Sequence, residues 1–177
     1  RSGEVADAGV QVLKIYTTYG ADQYPSAKLP ALFAEAKRLN LRILAHCEYD
    51  EVIQAVKKAI LENGMNVASM HGVSRSPLAE LAAVRELTRL AEQTGAELII
   101  AHVSTGEAGH LIADARARGV KVYAETCPHY LLLTEELYAG EEPQRYIMTP
   151  PLRTAKDNAI LWELLASGDI GMASTDH

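Results

Sequence analysis

The hydrophobic positions of this chain fall into short apolar runs that alternate with longer stretches of helical spacing. GVQVLKIY (9–16) is brief, apolar and rich in β-branched residues, the pattern of a buried strand. Residues 26–39 put Leu29, Leu32, Phe33 and Ala36 on one helical face, with Ser26 predicted as N-cap. LRILAHC (41–47) is the second predicted strand. Asp50 is predicted to cap the helix EVIQAVKKAILENG, and Gly64 to stop it. Ser76 and Pro77 open a long helix as N-cap and first residue, and Gly95 closes it after Thr94. ELIIAHV (97–103) is the third strand, and Ser104 is predicted to cap the helix TGEAGHLIADARARG. VKVYAET (120–126) is the fourth strand. TEELYAG reads as a short helix, RYIM as a brief extended piece, and Thr154 to Ser167 as a helix. IGMAST (170–175) is the fifth strand.

This alternation predicts a parallel sheet with covering helices. Both a closed barrel and an open doubly wound sheet fit it. No glycine-rich phosphate fingerprint follows any strand, which argues against a dinucleotide site. A whole (β/α)8 barrel needs ~250 residues, so five strands in 177 residues amount to an incomplete one. The chain begins almost on its first strand and stops just past an acidic residue at a strand tip. It therefore reads as the middle of a longer protein.

Composition narrows the partners. Hydrophobic residues at 48% and charged residues at 23% are ordinary for a globular domain. A net charge of −6 with no basic cluster argues against nucleic acid. No apolar run approaches the ~20 residues that span a bilayer, so no membrane partner is expected. Cys47 and Cys127 do not make a disulfide framework, which fits a reducing cytoplasm.

Five strand ends carry ionisable residues: Lys14, His46, His102, Glu125 and Asp176. In a parallel barrel the C-terminal strand ends converge on one mouth. A lone histidine at such a tip is more often a hydrogen-bonded core residue than a ligand. Two at equivalent positions on successive strands point toward metal binding. Lys14 within VLKIY is either a snorkelling cation or a buried amine made reactive, able to add carbon dioxide as a carbamate. Asp176 is either a helix cap or a ligand and proton acceptor at the mouth. Glu125 is expected to be structural or to support a ligand from behind, and Cys127 to pack in the core. His71, His110 and His129 lack a strand-tip position and read as ordinary histidines.

At these residues the chain resembles the cyclic amidohydrolases: hydantoinase, dihydropyrimidinase, allantoinase and dihydroorotase. The matching stretches are KIYTTYG (14–20), AHCEYD (45–50), HGVSRSPLAELAAVRELTRLAEQTG (71–95), AHVSTGEAG (101–109), AETCPHYLLLTEE (124–136), YIMTPPLR (146–153) and STDH (174–177). They occur in the family's order over nearly the whole chain. The run from Ser74 to Arg85 and the PPLR loop look most like the D-hydantoinase and dihydropyrimidinase branch, with allantoinase as the alternative. The resemblance implies that 1–177 is part of a metal-dependent (β/α)8 TIM barrel. It implies two divalent metal ions, zinc first and manganese second, and a bridging hydroxide that opens a cyclic amide to an N-carbamoyl amino acid.

By position, the resemblance makes Lys14 the carbamylated bridging lysine and His46 and His102 ligands of one metal. Asp176 becomes a ligand of the other and the proton shuttle. Tyr19 would hydrogen-bond the substrate carbonyl and the oxyanion. Thr149 stands where a serine usually contacts the ring through its backbone. The family's His-x-His pair and its substrate-contacting segment after the aspartate have no counterpart here. A homo-oligomer, tetramer or dimer, is implied for the full-length protein. The reading from another class is a non-catalytic dihydropyrimidinase-like scaffold, or a fragment inactive in isolation.

Overall fold

The computed structural model describes residues 2–65 and 68–176. His177, the last residue of the STDH stretch, lies outside them. Five strands form one parallel sheet: β1 (Val12–Tyr16), β2 (Arg42–His46), β3 (Glu97–Ile100), β4 (Val122–Thr126) and β5 (Met172–Ala173). Their order in the sheet is their order in the chain. A doubly wound sheet reverses strand order at a switch point. Sequential order without reversal is the winding of a barrel, so the second topology left open by the pattern is excluded for this segment. In register, Tyr16 lies opposite His46, Ala45 opposite Ile100, and Glu125 opposite Met172.

The helices are α1 (Ser2–Asp7), α2 (Leu29–Arg38), α3 (Asp50–Glu62), α4 (His71–Ser74), α5 (Pro77–Thr94), α6 (Gly106–Ala117), α7 (Pro128–Leu132) and α8 (Ala155–Ser167). They cover one face of the sheet. Because side chains alternate along a strand, Ile15, Ile43, Ala45, Leu98, Ile100, Val122 and Ala124 are buried beneath them. The core continues through Phe33 and Leu87 on the helices to Leu161. The other face carries Val12, Lys14 and Tyr16 on β1, Arg42 on β2 and Tyr123 on β4, all exposed. Among the described residues no helix is long and apolar enough to cross a membrane.

Helix α6 reaches α8 at two glycines. A Cβ on Gly109 would lie 2.4 Å from Leu164, and one on Gly106 would meet Ile160 at 2.8 Å on three atoms. Thr154 and Asp157 form a reciprocal capping box at the start of α8. The same Asp157 accepts the Gly106 N–H at 2.9 Å, so the two helix starts are tied together.

Several predicted boundaries shift for local reasons. Residues 26–28 form a 3-10 turn, and α2 begins at Leu29 with Pro30 in its first turn, where proline fits best. Ser26 therefore caps nothing. Asp50 opens α3 as its first residue, and its carboxylate takes the Thr18 hydroxyl instead of a helix N–H. Ser104 is drawn to Glu80, which leaves Thr105 to cap α6 by accepting from the Ala108 N–H at 3.3 Å. RYIM is no extended piece: Pro143–Tyr146 is a 3-10 turn. TEELYAG becomes a 3-10 helix over Glu135–Ala139. Strand β3 ends at Ile100 and β5 spans two residues, both shorter than predicted.

Candidate functional site

Where β2 ends, His46 is buried, and just beyond β3 so is His102. Their rings meet edge to face with centroids 4.6 Å apart. His46 Nδ1 faces His102 Nε2 at 3.0 Å. Tyr19, on the turn after β1, brings its hydroxyl to 3.3 Å from the same His46 Nδ1. The Thr149 side chain is a hydrogen-bonding neighbour of the Tyr19 phenol. Three residues predicted for the site, Tyr19, His46 and His102, thus meet at the C-terminal end of the sheet, with Thr149 beside the Tyr19 phenol.

The backbone is unusual at the same point. Four non-glycine residues among those described have positive φ, and three are Tyr19 (84°), His102 (43°) and Asp176 (53°). The left-handed region disfavours residues carrying a Cβ, and such strain concentrates at functional sites.

Lys14 and Asp176 stand differently. Lys14 is not at a strand tip. It sits mid-strand in β1 opposite Leu44, one pleat below the Tyr16–His46 level. It lies on the sheet face away from the helices, which in a closed barrel is the inner one, with its Nζ 5.6 Å from the Tyr16 ring. The alternation of β1 decides this, because Ile15 takes the helix-covered face. Asp176 is exposed, past the end of β5. Both charges nevertheless act on the histidine pair. Burial pushes His46 and His102 well below the ordinary imidazole value; Lys14 adds to that fall in both rings, and Asp176 opposes it.

Residues the sequence pattern passed over hold the pair in place. Glu48, fully buried, brings Oε2 to 2.7 Å from His46 Nε2 and pairs the same oxygen with Arg75. Carboxylate is an acceptor, so His46 keeps its proton on Nε2 and turns a bare Nδ1 toward His102. Arg75 also stacks over the Tyr19 ring, 5.3 Å from its centroid. A second buried ion pair, Arg153–Glu80 at 3.1 Å, lies behind the first. Glu80 accepts the N–H groups of Ser104 and Thr105, fixing the segment that carries His102.

The TPPLR loop is anchored just as firmly. His71 Nε2 donates to the Met148 carbonyl at 2.7 Å, Tyr130 donates to Pro150 at 2.6 Å, and Leu152 N–H donates to Tyr138 at 2.9 Å. His71, read as an ordinary histidine, is a buried strut of this loop. Glu125 receives the Ser174 hydroxyl. Cys127 is buried in the core, with its thiol pushed up to about 12 by burial.

The donor chemistry can be tested against a metal ion. Among the described residues, no three or more His, Cys, Asp or Glu side chains gather around one point. The histidine pair alone suits an ion. Both rings are held neutral, and their facing nitrogens are 3.0 Å apart. Two nitrogens sharing a tetrahedral zinc at 2.0–2.1 Å would stand about 3.3 Å apart. His102 Nδ1 is buried and finds no hydrogen-bond partner on another of the described residues. A carboxylate behind a ligating histidine is the usual outer support of a metal site. Two nitrogens are half of a four-coordinate set, so the remaining donors must be of another kind or from other residues.

Comparison with known proteins identifies the fold first. The chain superposes on the crystal structure of D-hydantoinase from Bacillus sp. AR9 with a TM-score of 0.96 at 30% identity, covering 99% of this chain and 39% of that one. The segment is therefore a partial α/β barrel. In sequence it is 35% identical over 182 residues to an allantoinase of Desulfitobacterium hafniense (strain DSM 10664 / DCB-2), covering 98% of this chain and 39% of that protein. It is 31% identical over 174 residues to a D-hydantoinase of Ralstonia pickettii, covering 97% and 38%. No family model matches. The chain belongs to the cyclic amidohydrolase family, and spans about two fifths of the length of these relatives.

Proposed function

We propose that residues 1–177 are part of the catalytic barrel of a metal-dependent hydrolase that opens a hydantoin or dihydropyrimidine ring to an N-carbamoyl amino acid. The observation that carries this reading is the convergence of His46 Nδ1, His102 Nε2 and the Tyr19 hydroxyl on one point. His46 and His102 hold one divalent ion, zinc in the first instance and manganese in the second. Lys14, as its carbamate, and Asp176 would hold a second ion. When bound, the ions polarise the ring carbonyl and supply a nucleophile from water at neutral pH.

The chain's own residues do the rest. Burial and the nearby Glu48 carboxylate push the Tyr19 phenol up to about 12. It stays protonated throughout the neutral range and donates to the oxygen on which negative charge develops. Asp176 takes a proton from the attacking water and returns it to the leaving ring nitrogen. Thr149, at the head of the anchored TPPLR loop, offers its backbone to the ring. The substrate is a small cyclic amide, and neither nucleic acid nor membrane is a partner. A homo-oligomer is the expected assembly and the cytoplasm the expected compartment, where the buried thiols of Cys47 and Cys127 remain reduced.

One finding favours a second reading. The 35% identity to an allantoinase exceeds the 31% to a D-hydantoinase, which puts allantoin beside the hydantoins as substrate. Metal analysis of the full-length protein, followed by ring-opening assays on hydantoin, dihydrouracil and allantoin, tests both. Turnover of hydantoin or dihydrouracil supports the first reading, and turnover of allantoin alone the second. A protein without bound metal and without turnover would overturn both in favour of a scaffold.

A further inference from the structure

We propose that the Arg75–Glu48 ion pair is a positioning element that fixes His46 as an Nδ1 metal ligand and sets Tyr19 over the same point. The inference rests on the metal-dependent reading above. Four side chains close a ring of contacts. His46 Nε2 meets Glu48 Oε2 at 2.7 Å, that oxygen pairs with Arg75, Arg75 covers the Tyr19 ring, and the Tyr19 hydroxyl returns to His46 Nδ1 at 3.3 Å.

Each link is built rather than incidental. The Glu48 backbone is held from both sides by Thr17, whose hydroxyl donates to its carbonyl at 2.8 Å and accepts its N–H at 2.9 Å. Glu48 Oε1 is buried and has no hydrogen-bond partner among the described residues, so the carboxylate engages His46 and Arg75 through Oε2. Arg75 ends the short helix α4 and is fixed by its own backbone. Its N–H donates to the His71 carbonyl at 3.1 Å, and its carbonyl accepts from Arg153 at 2.6 Å. A neutral imidazole can offer either nitrogen to a metal, and the hydrogen bond made by one decides which. Here the carboxylate claims Nε2. The guanidinium does two things at once: it compensates the buried carboxylate, and it places a cation on the face of the phenol, which strengthens the phenol as a donor.

The first experiment needs no substitution and no metal. Long-range 1H–15N correlation spectra of the full-length, metal-free protein labelled in histidine are expected to show His46 protonated on Nε2 and bare on Nδ1. The opposite tautomer overturns the proposal, and this result stands even if the variants fail to fold. The second is zinc affinity by chelator competition. Glu48→Gln is expected to weaken it by about 10–100-fold; equal affinity in a folded variant that shares its parent's ability to bind zinc overturns the positioning role alone. Arg75→Lys, which keeps the cation but loses the planar face, is expected to lower kcat for ring opening while retaining zinc. An unchanged kcat removes the Tyr19 half of the proposal. A parent that binds no zinc at all sinks the metal reading, and the tautomer then remains the separate test of how His46 is held.

Discussion

Arg153 donates from Nη1 to the backbone carbonyl of Arg75 at 2.6 Å, and so joins the two buried ion pairs behind the site into one unit. Its Nε reaches Ser104 at 2.9 Å and its Nη2 reaches Glu80 at 3.1 Å. One guanidinium therefore spans the loop before α5, the first turn of α5 and the segment that carries His102. Replacing Arg153 by Met leaves the Glu80 carboxylate buried and uncompensated. We expect a loss of about 3–5 kcal/mol, as for other broken buried pairs, read from urea denaturation. A change below 1 kcal/mol, on the order of a surface pair, would contradict this picture.

Tyr19→Phe removes one hydroxyl and leaves the ring that Arg75 covers. If the phenol holds the developing oxyanion, kcat of the full-length enzyme should fall by about 10²–10³, with KM little moved. A rise in KM at constant kcat would instead assign Tyr19 to ground-state binding.

His102→Ala removes one of two facing nitrogens. If the pair holds an ion, the full-length protein should lose one metal equivalent, counted by elemental analysis after dialysis, while Ala at a positive-φ position also strains the chain. His102→Asn tolerates that backbone better and separates the two effects. Full metal content in His102→Asn would remove His102 from the ligand set.

Acid should weaken the fold through His71 as well. Burial lowers its pKa, so the folded protein keeps it neutral while the unfolded chain titrates near 6.5. The associated stability is complete above about pH 6.5 and is lost as pH falls through that value toward the lowered folded one. His71→Gln keeps a donor for the Met148 carbonyl but cannot take the proton. Its stability should fall less steeply below pH 6.5, by about 1.4 kcal/mol per pH unit. Parallel pH profiles for the two proteins would show that His71 does not titrate in this way.

Gly106→Ala tests the contact between α6 and α8. The added Cβ meets Ile160 at its own Cβ, which cannot rotate away. Overpacking of this kind costs about 1–3 kcal/mol. At Gly109 the nearest atom is the movable end of Leu164, so Gly109→Ala should cost less. Equal thermal shifts for the two variants would refute the distinction.

The strands and the position of the histidine pair were legible because they follow from short-range pattern: apolar runs of fixed length, each ending in a polar turn; the order of the strands in the sheet was not, since the same alternation also fits a doubly wound sheet. The boundaries that moved did so through contacts between distant residues. Ser104 would cap α6 if Glu80 did not claim it, and Asp50 would cap α3 if Thr18 did not. The buried pairs were hidden for the same reason. Glu80 stands in the first turn of a helix, where an acidic residue ordinarily serves the helix dipole at the surface. Glu48 stands in a polar turn beside Tyr49 and Asp50. Only the fold brings arginines from two other loops against them. Lys14 lies two residues short of the tip expected for it, because β1 continues to Tyr16.

Glycine at position 19, 102 or 176 would relax the backbone at each left-handed turn, where a side chain is disfavoured by roughly 1–2 kcal/mol. A selection for heat resistance alone would therefore drift toward glycine at these three positions and erase the phenol, the imidazole and the carboxylate together. If these residues carry the proposed chemistry, thermal hardiness and turnover pull this segment in opposite directions, at residues that can be named in advance.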